Sequence, residues 1–163
     1  MTKEDTGSLA DFGMIGLAVM GRNLAWNIVD HGYSVAVWNL EPETTAEVIA
    51  LDVAPLVPTD SLAALVAAVE RPRRLMMMIQ AGRPVDIVLD QLIPLLDPDD
   101  IVIDGGNSRY TDTQRREKKM AAAGLRFFGV GVSGGEDGAR FGPSLMPGGD
   151  ADAYERIRPV LEA

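Results

Sequence analysis

Short apolar runs alternate along the chain with segments whose apolar residues recur at helical spacing. Five runs have the nearly continuous apolar composition of strands that are covered on both faces of a sheet: Phe12–Ile15, Tyr33–Trp38, Leu75–Ile79, Ile101–Ile103 and Leu125–Val130. Strands that alternate with helices usually form parallel sheets. The pattern therefore predicts an α/β fold with a doubly wound, mostly parallel sheet in a single domain.

Helices are predicted in the segments between these strands. Two segments carry the i, i+3, i+4, i+7 stripe of an amphipathic helix: Leu62, Leu65, Val66 and Val69 in one, and Val85, Val88, Leu89, Leu92 and Leu96 in the other. Helices over Val19–His31 and Thr111–Ala123 should each end at the glycine that follows. The polar stretch Arg115–Lys119 is predicted to be a solvated helix face, and a last helix should span Ala151–Leu161.

The most unusual segment is a glycine-rich run, Gly129–Gly149, which holds eight of the 17 glycines of the chain. Glycine lets the backbone adopt positive φ and approach a ligand closely. A flexible linker is the alternative interpretation. The absence of Ser/Gly repeats and the presence of Phe141, Leu145 and Met146 favour a binding loop, with Gly142–Gly149 returning tightly into the sheet.

Composition narrows the functional classes. The net charge of −9 and the pI near 4.5 argue against nucleic acid or an anionic membrane as the main partner. The chain has no cysteine, which excludes disulfides and thiolate metal sites, and no metal site is predicted. The N-terminus lacks an apolar signal segment, and no run approaches the ~18 apolar residues of a membrane span. These features predict a cytoplasmic protein with a disordered tail over residues 1–10.

Candidates for acid–base catalysis are few. His31, the only histidine, lies in the last turn of the first predicted helix, where a cation favourably meets the helix dipole. A structural role is therefore predicted for it. The three lysines are Lys3 in the predicted tail and Lys118 and Lys119 in the polar stretch. A catalytic base or a Schiff-base lysine therefore has few candidates in this chain.

The first predicted strand ends in Gly16-Leu17-Ala18-Val19-Met20-Gly21, a G-x-A-x-x-G turn that opens a helix. In the dinucleotide fingerprint the first glycine forms the tight turn and the last allows the helix to pack on the strand. The pyrophosphate lies at the helix N-terminus. Ala18 occupies the middle glycine position, so its methyl group should keep the phosphates slightly farther away. A purely structural strand-to-helix turn is the alternative, but the flanking elements favour a Rossmann-like dinucleotide-binding domain over residues 11–163.

The tip of the second predicted strand reads Asn39-Leu40-Glu41 and should contact the adenine ribose. An arginine there would suit the 2′-phosphate of NADP, whereas an acidic residue would suit the 2′-hydroxyl of NAD. Leu40 and Glu41 offer no cation, so residue chemistry favours NAD. Glu41 as a solvated turn residue before Pro42 is an equally weighted alternative.

A polar segment, Asp104–Ser108, follows the strand Ile101–Ile103, at the edge of the sheet where α/β proteins bind ligands. Asn107 is predicted to hydrogen-bond both the nicotinamide side of the cofactor and a substrate hydroxyl. The alternative is that Asn107 or Ser108 caps the next helix.

Four stretches together resemble the 6-phosphogluconate dehydrogenases, and the resemblance covers nearly the whole chain after Asp11. The stretches are IGLAVMGRNLAWNIVDHGYSVAVWN (15–39), PRRLMMMIQAG (72–82), IVIDGGNSRYTDTQRR (101–116) and GVSGGEDGARFGPSLMPGG (131–149). The resemblance implies that Gly16–Gly21 hold the cofactor pyrophosphate and Asn39, Leu40 and Glu41 the adenosine ribose. It also implies the following roles: Ile79, Gln80 and Ala81 flank the cofactor, Asn107 touches cofactor and substrate, and Ser133, Gly134 and Gly135 bind substrate.

Two residues depart from the family pattern. Leu40 stands where the family usually has an arginine that binds the 2′-phosphate, and Gln80 stands in place of a lysine. The resemblance therefore implies NADP, whereas the residues at the adenosine end favour NAD.

The resemblance implies oxidative decarboxylation of 6-phosphogluconate to ribulose 5-phosphate, a step of the pentose phosphate pathway and of gluconate use. It also implies that a C-terminal helical domain beyond Ala163 supplies the catalytic lysine and glutamate and forms a homodimer. The chain alone is expected to bind a nicotinamide dinucleotide without turnover. Two alternatives remain: another β-hydroxyacid dehydrogenase of the 3-hydroxyisobutyrate type, and a nucleotide-binding module without catalysis.

Overall fold

A computed structural model describes residues 8–163. Its strands are β1 (Phe12–Ile15), β2 (Val35–Trp38), β3 (Val57–Pro58), β4 (Arg74–Met77), β5 (Ile101–Asp104), β6 (Arg126–Ser133) and β7 (Ser144–Gly148). Its α-helices are α1 (Val19–Asp30), α2 (Pro42–Ala50), α3 (Leu62–Ala68), α4 (Arg83–Leu92), α5 (Tyr110–Ala122), α6 (Gly135–Phe141) and α7 (Ala151–Leu161), with a 3₁₀ turn over Ile93–Leu95. No helix within this part of the chain is long and apolar enough to cross a membrane.

The strands form one sheet in the order β3-β2-β1-β4-β5-β6-β7. Every neighbouring pair from β3 to β6 is parallel, and only β7 runs antiparallel, against β6. The predicted doubly wound, mostly parallel α/β fold is therefore confirmed. Strand order reverses between β1 and β4, which places a crevice at their carboxyl ends.

Apolar side chains pack against both faces of the sheet, which explains why its strands are nearly continuous apolar runs. Met76 belongs to one buried cluster together with residues of α1 and α7, such as Leu24 and Ile157. The next residue, Met77, points to the opposite face and joins a second cluster with Leu89 of α4. Successive strand side chains thus pack alternately against the two helical layers.

Most of the glycine-rich run is regular structure and not the predicted loop, but the predicted return of Gly142–Gly149 into the sheet is confirmed. It completes β6, forms α6 and then returns as β7, whose Met146 pairs with Gly131. Two of its glycines are explained by packing, since a Cβ at Gly129 would lie 2.5 Å from the Thr113 Cγ2 atom. A Cβ at Gly149 would lie 2.5 Å from the Phe128 ring.

Local differences from the predicted elements have simple causes. The sequence pattern did not predict α2, which buries only Thr45 and Val48, or β3, a two-residue strand with exposed side chains. His31 caps the end of α1, where its Nδ1 atom lies 2.8 Å from the Asn27 carbonyl oxygen, consistent with the structural role predicted for it.

At the N-terminal end, Ala10 is buried, and its amide donates to the carbonyl oxygen of Ala68. The packed region therefore includes Ala10, one residue beyond the predicted domain boundary. Residues 1–7 of the predicted tail lie outside the described residues.

Candidate functional site

A cavity of about 530 Å³ lies at the carboxyl ends of β1, β2 and β4. It is lined by Ile15, Gly16, Ala18, Trp38, Asn39, Leu40, Glu41, Met78, Ile79, Gln80, Pro84, Ile87, Val88 and Gln91. The crevice expected where strand order reverses is thus present and mostly apolar. Of the residues predicted to contact a cofactor, seven line this cavity. The others, Leu17, Val19, Met20, Gly21, Ala81 and Asn107, are not among its lining residues.

The β1–α1 turn, Gly16–Gly21, requires both of its glycines for steric reasons. Gly16 has a φ of +93°, and a Cβ there would lie 2.5 Å from the Met78 carbonyl oxygen. A Cβ at Gly21 would lie 2.0 Å from the Gly16 carbonyl oxygen. Chain packing therefore explains these glycines whether or not a ligand binds.

The ligand-binding potential of this turn lies at the start of α1. Ala18 is the N-cap residue and provides no side-chain hydrogen bond to the first amides of the helix. The N-terminus of this 12-residue helix therefore keeps N–H groups that can donate hydrogen bonds to an anion. Ala18 also lines the cavity, so an anion bound here would lie at its edge.

Asn39 connects the first turn to the tip of β2. Its Oδ1 atom accepts a hydrogen bond from the Leu17 amide at 2.9 Å. Its Nδ2 group donates to the Glu41 carboxylate at 2.9 Å and to the Glu41 carbonyl oxygen at 3.3 Å. Asn39 therefore fixes the positions of both turns, a structural role that the sequence did not reveal.

The charge at the tip of β2 is negative. Glu41 is the only ionisable residue among those that line the cavity. Leu40 is 74% exposed and places an apolar side chain next to it. The lining of this cavity thus provides a hydrogen-bond acceptor and no cation.

Asn107 lies in the β5–α5 turn with a φ of +55°, and its side chain reaches across to β6. Its Oδ1 atom accepts from the Val132 amide at 2.9 Å, and its Nδ2 group donates to the Val132 carbonyl oxygen at 3.1 Å. A carboxamide has two N–H donors and two acceptor positions on oxygen. One N–H and one lone pair of Asn107 therefore remain for a ligand.

Neither Asn107 nor Ser108 caps α5, so the capping alternative is wrong. The N-cap residue is Arg109, and it makes no side-chain cap. Ser108 instead donates from its hydroxyl to the Asp104 carboxylate at 2.6 Å. The two residues hold this turn to β6 and β5 rather than to the helix that follows.

The turn between β6 and α6 contains Ser133, Gly134 and Gly135, all of which are exposed. Gly134 and Gly135 have φ of +127° and +63°, values that favour glycine. Ser133 directly follows Val132, the residue that Asn107 holds, so the structure brings Asn107 next to this turn. None of these three residues lines the cavity at the carboxyl ends of β1, β2 and β4.

A second cavity, of about 540 Å³, begins at Asn107 and extends between α5 and the β6–β7 hairpin. It is lined by Asp104, Asn107, Ser108, Tyr110, Thr113, Gln114, Glu117, Gly129, Val130, Gly131, Met146, Pro147 and Gly148. Asn107 is therefore placed between this cavity and the turn at Ser133.

Arg116 corrects the prediction that Arg115–Lys119 form a solvated face, because its side chain is 0% exposed. It makes a two-pronged ion pair with Asp86 of α4, through Nε at 2.9 Å and Nη2 at 3.1 Å. These bonds hold the pKa of the Asp86 carboxyl well below its usual range. The buried stripe of α5 is Arg116 and Met120, and this i, i+4 spacing is the only sequence signal for it.

Fold and site together define a nucleotide-binding α/β domain with a fingerprint turn at its switch point. The family model described as the NAD binding domain of 6-phosphogluconate dehydrogenase matches residues 11–163, and the chain belongs to this family. No group of three or more potential metal-binding side chains is found among residues 8–163.

Comparisons with individual known proteins agree with this family assignment. The chain is 55% identical over 159 residues to a decarboxylating 6-phosphogluconate dehydrogenase of Synechococcus elongatus, covering 96% of this chain and 34% of that protein. A 6-phosphogluconate dehydrogenase structure from Plasmodium falciparum, described with NADP+ and with 6-phosphogluconate, has a TM-score of 0.89 at 37% identity, covering 93% of this chain and 33% of that one. A 3-hydroxyisobutyrate dehydrogenase of Mycobacterium tuberculosis with L-serine has a TM-score of 0.83 at 25% identity, covering 95% and 52%. The chain spans about a third of the length of the curated relatives it matches.

Proposed function

We propose that residues 11–163 bind the nicotinamide dinucleotide of a 6-phosphogluconate dehydrogenase, which oxidises and decarboxylates 6-phosphogluconate to ribulose 5-phosphate. The supporting observation is the position of the candidate residues. The uncapped start of α1, the tip of β2 and the Asn107 and Ser133 turns all follow carboxyl ends of neighbouring parallel strands. Such an edge has room for a dinucleotide at one end and a small substrate at the other.

The residues divide the binding task along this edge. The free amides at Ala18–Met20 would hold the pyrophosphate, and Asn39, Leu40 and Glu41 would face the adenosine ribose. Ile79, Gln80 and Ala81 would flank the cofactor on the β4 side. The remaining N–H group and lone pair of Asn107 would orient the nicotinamide and the substrate hydroxyl. Ser133, Gly134 and Gly135 would present backbone groups to the sugar acid.

A bound dinucleotide would supply the hydride acceptor for the oxidation of the substrate. The histidine and the two lysines among the described residues lie away from this position. His31 lies at the far end of α1, about 18 Å from its start. Lys118 and Lys119 lie in the last turns of α5, away from the carboxyl edge. We therefore propose that the 163-residue chain binds the cofactor by itself but does not turn over the substrate.

NAD is the cofactor that this chain should prefer. A carboxylate accepts hydrogen bonds from a ribose 2′-hydroxyl and repels a 2′-phosphate. Glu41 is held for this purpose by Asn39, and Leu40 provides none of the hydrogen bonds that a phosphate needs. The preference contrasts with the NADP+ named for the Plasmodium falciparum structure.

Calorimetric titration of the purified chain with NAD+ and with NADP+ tests both proposals. Binding of either dinucleotide supports the assigned function, and tighter binding of NAD+ supports the role of Glu41. Absence of binding to both would refute the assigned function, and tighter binding of NADP+ would refute only the preference. Oxidation of 6-phosphogluconate by the 163-residue chain would contradict its proposed catalytic incompleteness.

An enzyme of the 3-hydroxyisobutyrate type is the second candidate, favoured by the structural similarity to the Mycobacterium tuberculosis enzyme. Activity of a full-length protein on 3-hydroxyisobutyrate, with none on 6-phosphogluconate, would establish it. A homodimer and a cytoplasmic location remain predictions.

A further inference from the structure

We propose that Arg116 is a positioning residue that joins the β4–α4 turn to the β5–α5 turn and thereby orients Asn107 at the nicotinamide end of the site. The inference rests on the proposed dinucleotide binding. It assigns a function to a buried cation that lies beneath the site and does not touch the ligand. Four observations carry it.

The first observation is that every N–H group of the Arg116 guanidinium donates a hydrogen bond. Nε and Nη2 donate to the two Asp86 carboxylate oxygens, and Nη2 also donates to the Gly82 carbonyl oxygen at 2.9 Å. Nη1 donates to the Ser108 hydroxyl at 3.1 Å and to the Asp104 carboxylate at 3.4 Å. These bonds use all five N–H donors of an arginine, which are fixed in one plane. The positions of the partners are therefore fixed relative to one another.

The second observation concerns the β4–α4 turn. Gly82 is the N-cap residue of α4 and has a φ of +99°. Its carbonyl oxygen, which Arg116 holds, directly follows the segment Ile79–Ala81 that is proposed to flank the cofactor. Asp86, in the first turn of α4, is held by the same guanidinium group. Arg116 thus fixes this turn at two points.

The third observation concerns the β5–α5 turn. The Asp104 carboxylate accepts from the Gly106 amide at 3.0 Å and from the Ser108 hydroxyl at 2.6 Å, so it binds both sides of Asn107. Arg116 contacts this same carboxylate and the same hydroxyl. Asn107 stands between them at positive φ, and its side chain reaches Val132 beside the Ser133 turn. The orientation of Asn107 therefore depends on the network.

The fourth observation is that the adenosine end is built separately. The contact that joins the β1–α1 turn to the β2 tip runs from Leu17 through Asn39 to Glu41. None of the five hydrogen bonds of Arg116 involves these residues. Loss of the network should therefore weaken recognition of the nicotinamide half and leave recognition of the adenosine half unchanged. A merely structural arginine would affect both halves equally.

The test compares two ligands on the 163-residue chain, NADH and ADP-ribose, which lacks the nicotinamide. If the wild type binds the 2′-phosphorylated forms more tightly, NADPH and 2′-phospho-ADP-ribose are used instead. The variants are Ser108→Ala, which removes one hydroxyl from the network, and Arg116→Lys, which keeps the charge but loses the planar group. Titrations are carried out well below the unfolding temperature of each variant.

The expected result is a change in the ratio of the two affinities. Ser108→Ala should weaken NADH binding about fivefold and Arg116→Lys at least about tenfold, with ADP-ribose binding changed by less than about twofold. Lys119→Ala is the matched control, because Lys119 joins the same two helices through Asp90, farther from the turns. The control should leave both affinities unchanged.

Two results would overturn the inference. If both affinities fall together, or if only the unfolding temperature falls, Arg116 stabilises the fold and positions nothing. If the wild type binds neither NADH nor ADP-ribose, nor their 2′-phosphorylated forms, the proposed function fails and the inference fails with it. If Arg116→Lys does not fold, Ser108→Ala decides alone, since it removes a single hydroxyl from a partly exposed residue.

Discussion

The two ends of the carboxyl edge are built in different ways. At the proposed adenosine end, uncharged groups hold the turns together: two sterically required glycines and the carboxamide of Asn39, which donates to the Glu41 carboxylate. At the nicotinamide end, a buried arginine holds two aspartates, Asp86 and Asp104, and the Asn107 turn lies above them. One end is a neutral scaffold with exposed recognition residues, and the other depends on buried charge.

This difference determines what amino-acid substitutions do at each end. Leu40 and Glu41 are exposed, so their replacement alters what the adenosine end recognises without removing a buried contact. Asp104 and Arg116 are buried, and removal of Arg116 leaves the Asp104 carboxylate without its cation, whereas removal of Asp104 leaves Arg116 paired with Asp86. We infer that cofactor preference is easily changed in this fold, whereas the geometry around the nicotinamide is coupled to stability.

The largest predicted effect is the loss of Arg116. Arg116→Ala should lower the free energy of unfolding by about 3–5 kcal/mol, because it leaves the buried Asp104 carboxylate without its cation. Urea titration followed by circular dichroism measures the loss, and Lys119→Ala, at a partly exposed residue, serves as the control. A loss of unfolding free energy below about 1 kcal/mol would contradict the difference between the two ends, since the network would then contribute no more than a surface ion pair.

The second prediction concerns the neutral end. Gly21→Ala should lower the free energy of unfolding by about 1–3 kcal/mol, because the new Cβ would lie 2.0 Å from the Gly16 carbonyl oxygen. It should also weaken dinucleotide binding by displacing the start of α1. Gly148→Ala is the matched control, since a Cβ there meets only an ordinary contact at 3.7 Å. Equal effects of the two variants would show that the turn is less tightly packed than the structure indicates.

The two ends also differ in how far the sequence predicts them. The apolar periodicity of the strands and the G-x-A-x-x-G turn are local patterns, so the sheet and the crevice follow from them. The buried state of Arg116 depends on Asp86 and Asp104, which lie 30 and 12 residues away. Composition alone therefore suggests a solvated polar face.

The glycine-rich run also shows that composition does not predict contacts between distant segments. Its composition suggests a loop, but pairing of β7 with β6 makes it a hairpin with a short helix between the strands. Gly129 is required because Thr113 of α5 packs against it, a contact between distant segments. Asn39 was predicted as an adenosine contact, and its hydrogen bond to Leu17 could not be inferred from the β2 tip alone.

The third prediction uses the exposed position of Leu40. Leu40→Arg should improve NADP+ binding relative to NAD+ by about tenfold, because a guanidinium group gives the 2′-phosphate charge-assisted hydrogen bonds. The unfolding temperature should not change, since Leu40 is 74% exposed. Calorimetry with both dinucleotides measures the ratio, and Leu40→Gln is the uncharged control. A change of stability comparable to that of Gly21→Ala would contradict the distinction between scaffold and recognition residues.

The smallest predicted effect is a pH dependence confined to the charged end. The hydrogen bonds from Arg116 hold the pKa of the Asp86 carboxyl well below its usual range. The unfolded chain therefore takes up this proton at higher pH than the folded chain does. Stability from Asp86 is fully present above about pH 5 and is lost as the pH falls through about 4 and below.

Asp86→Asn removes this titration, so its free energy of unfolding should fall less steeply than that of the wild type between about pH 5 and pH 3. Urea titrations at a series of pH values compare the two slopes. Glu41→Gln, at the neutral end, changes a carboxylate that accepts a hydrogen bond from the uncharged Asn39 amide. The slope of its free energy of unfolding against pH should stay closer to that of the wild type. If Glu41→Gln flattens the slope as much as Asp86→Asn, the acid sensitivity does not belong to the Arg116 network, and the two ends of the edge are less distinct than their contacts imply.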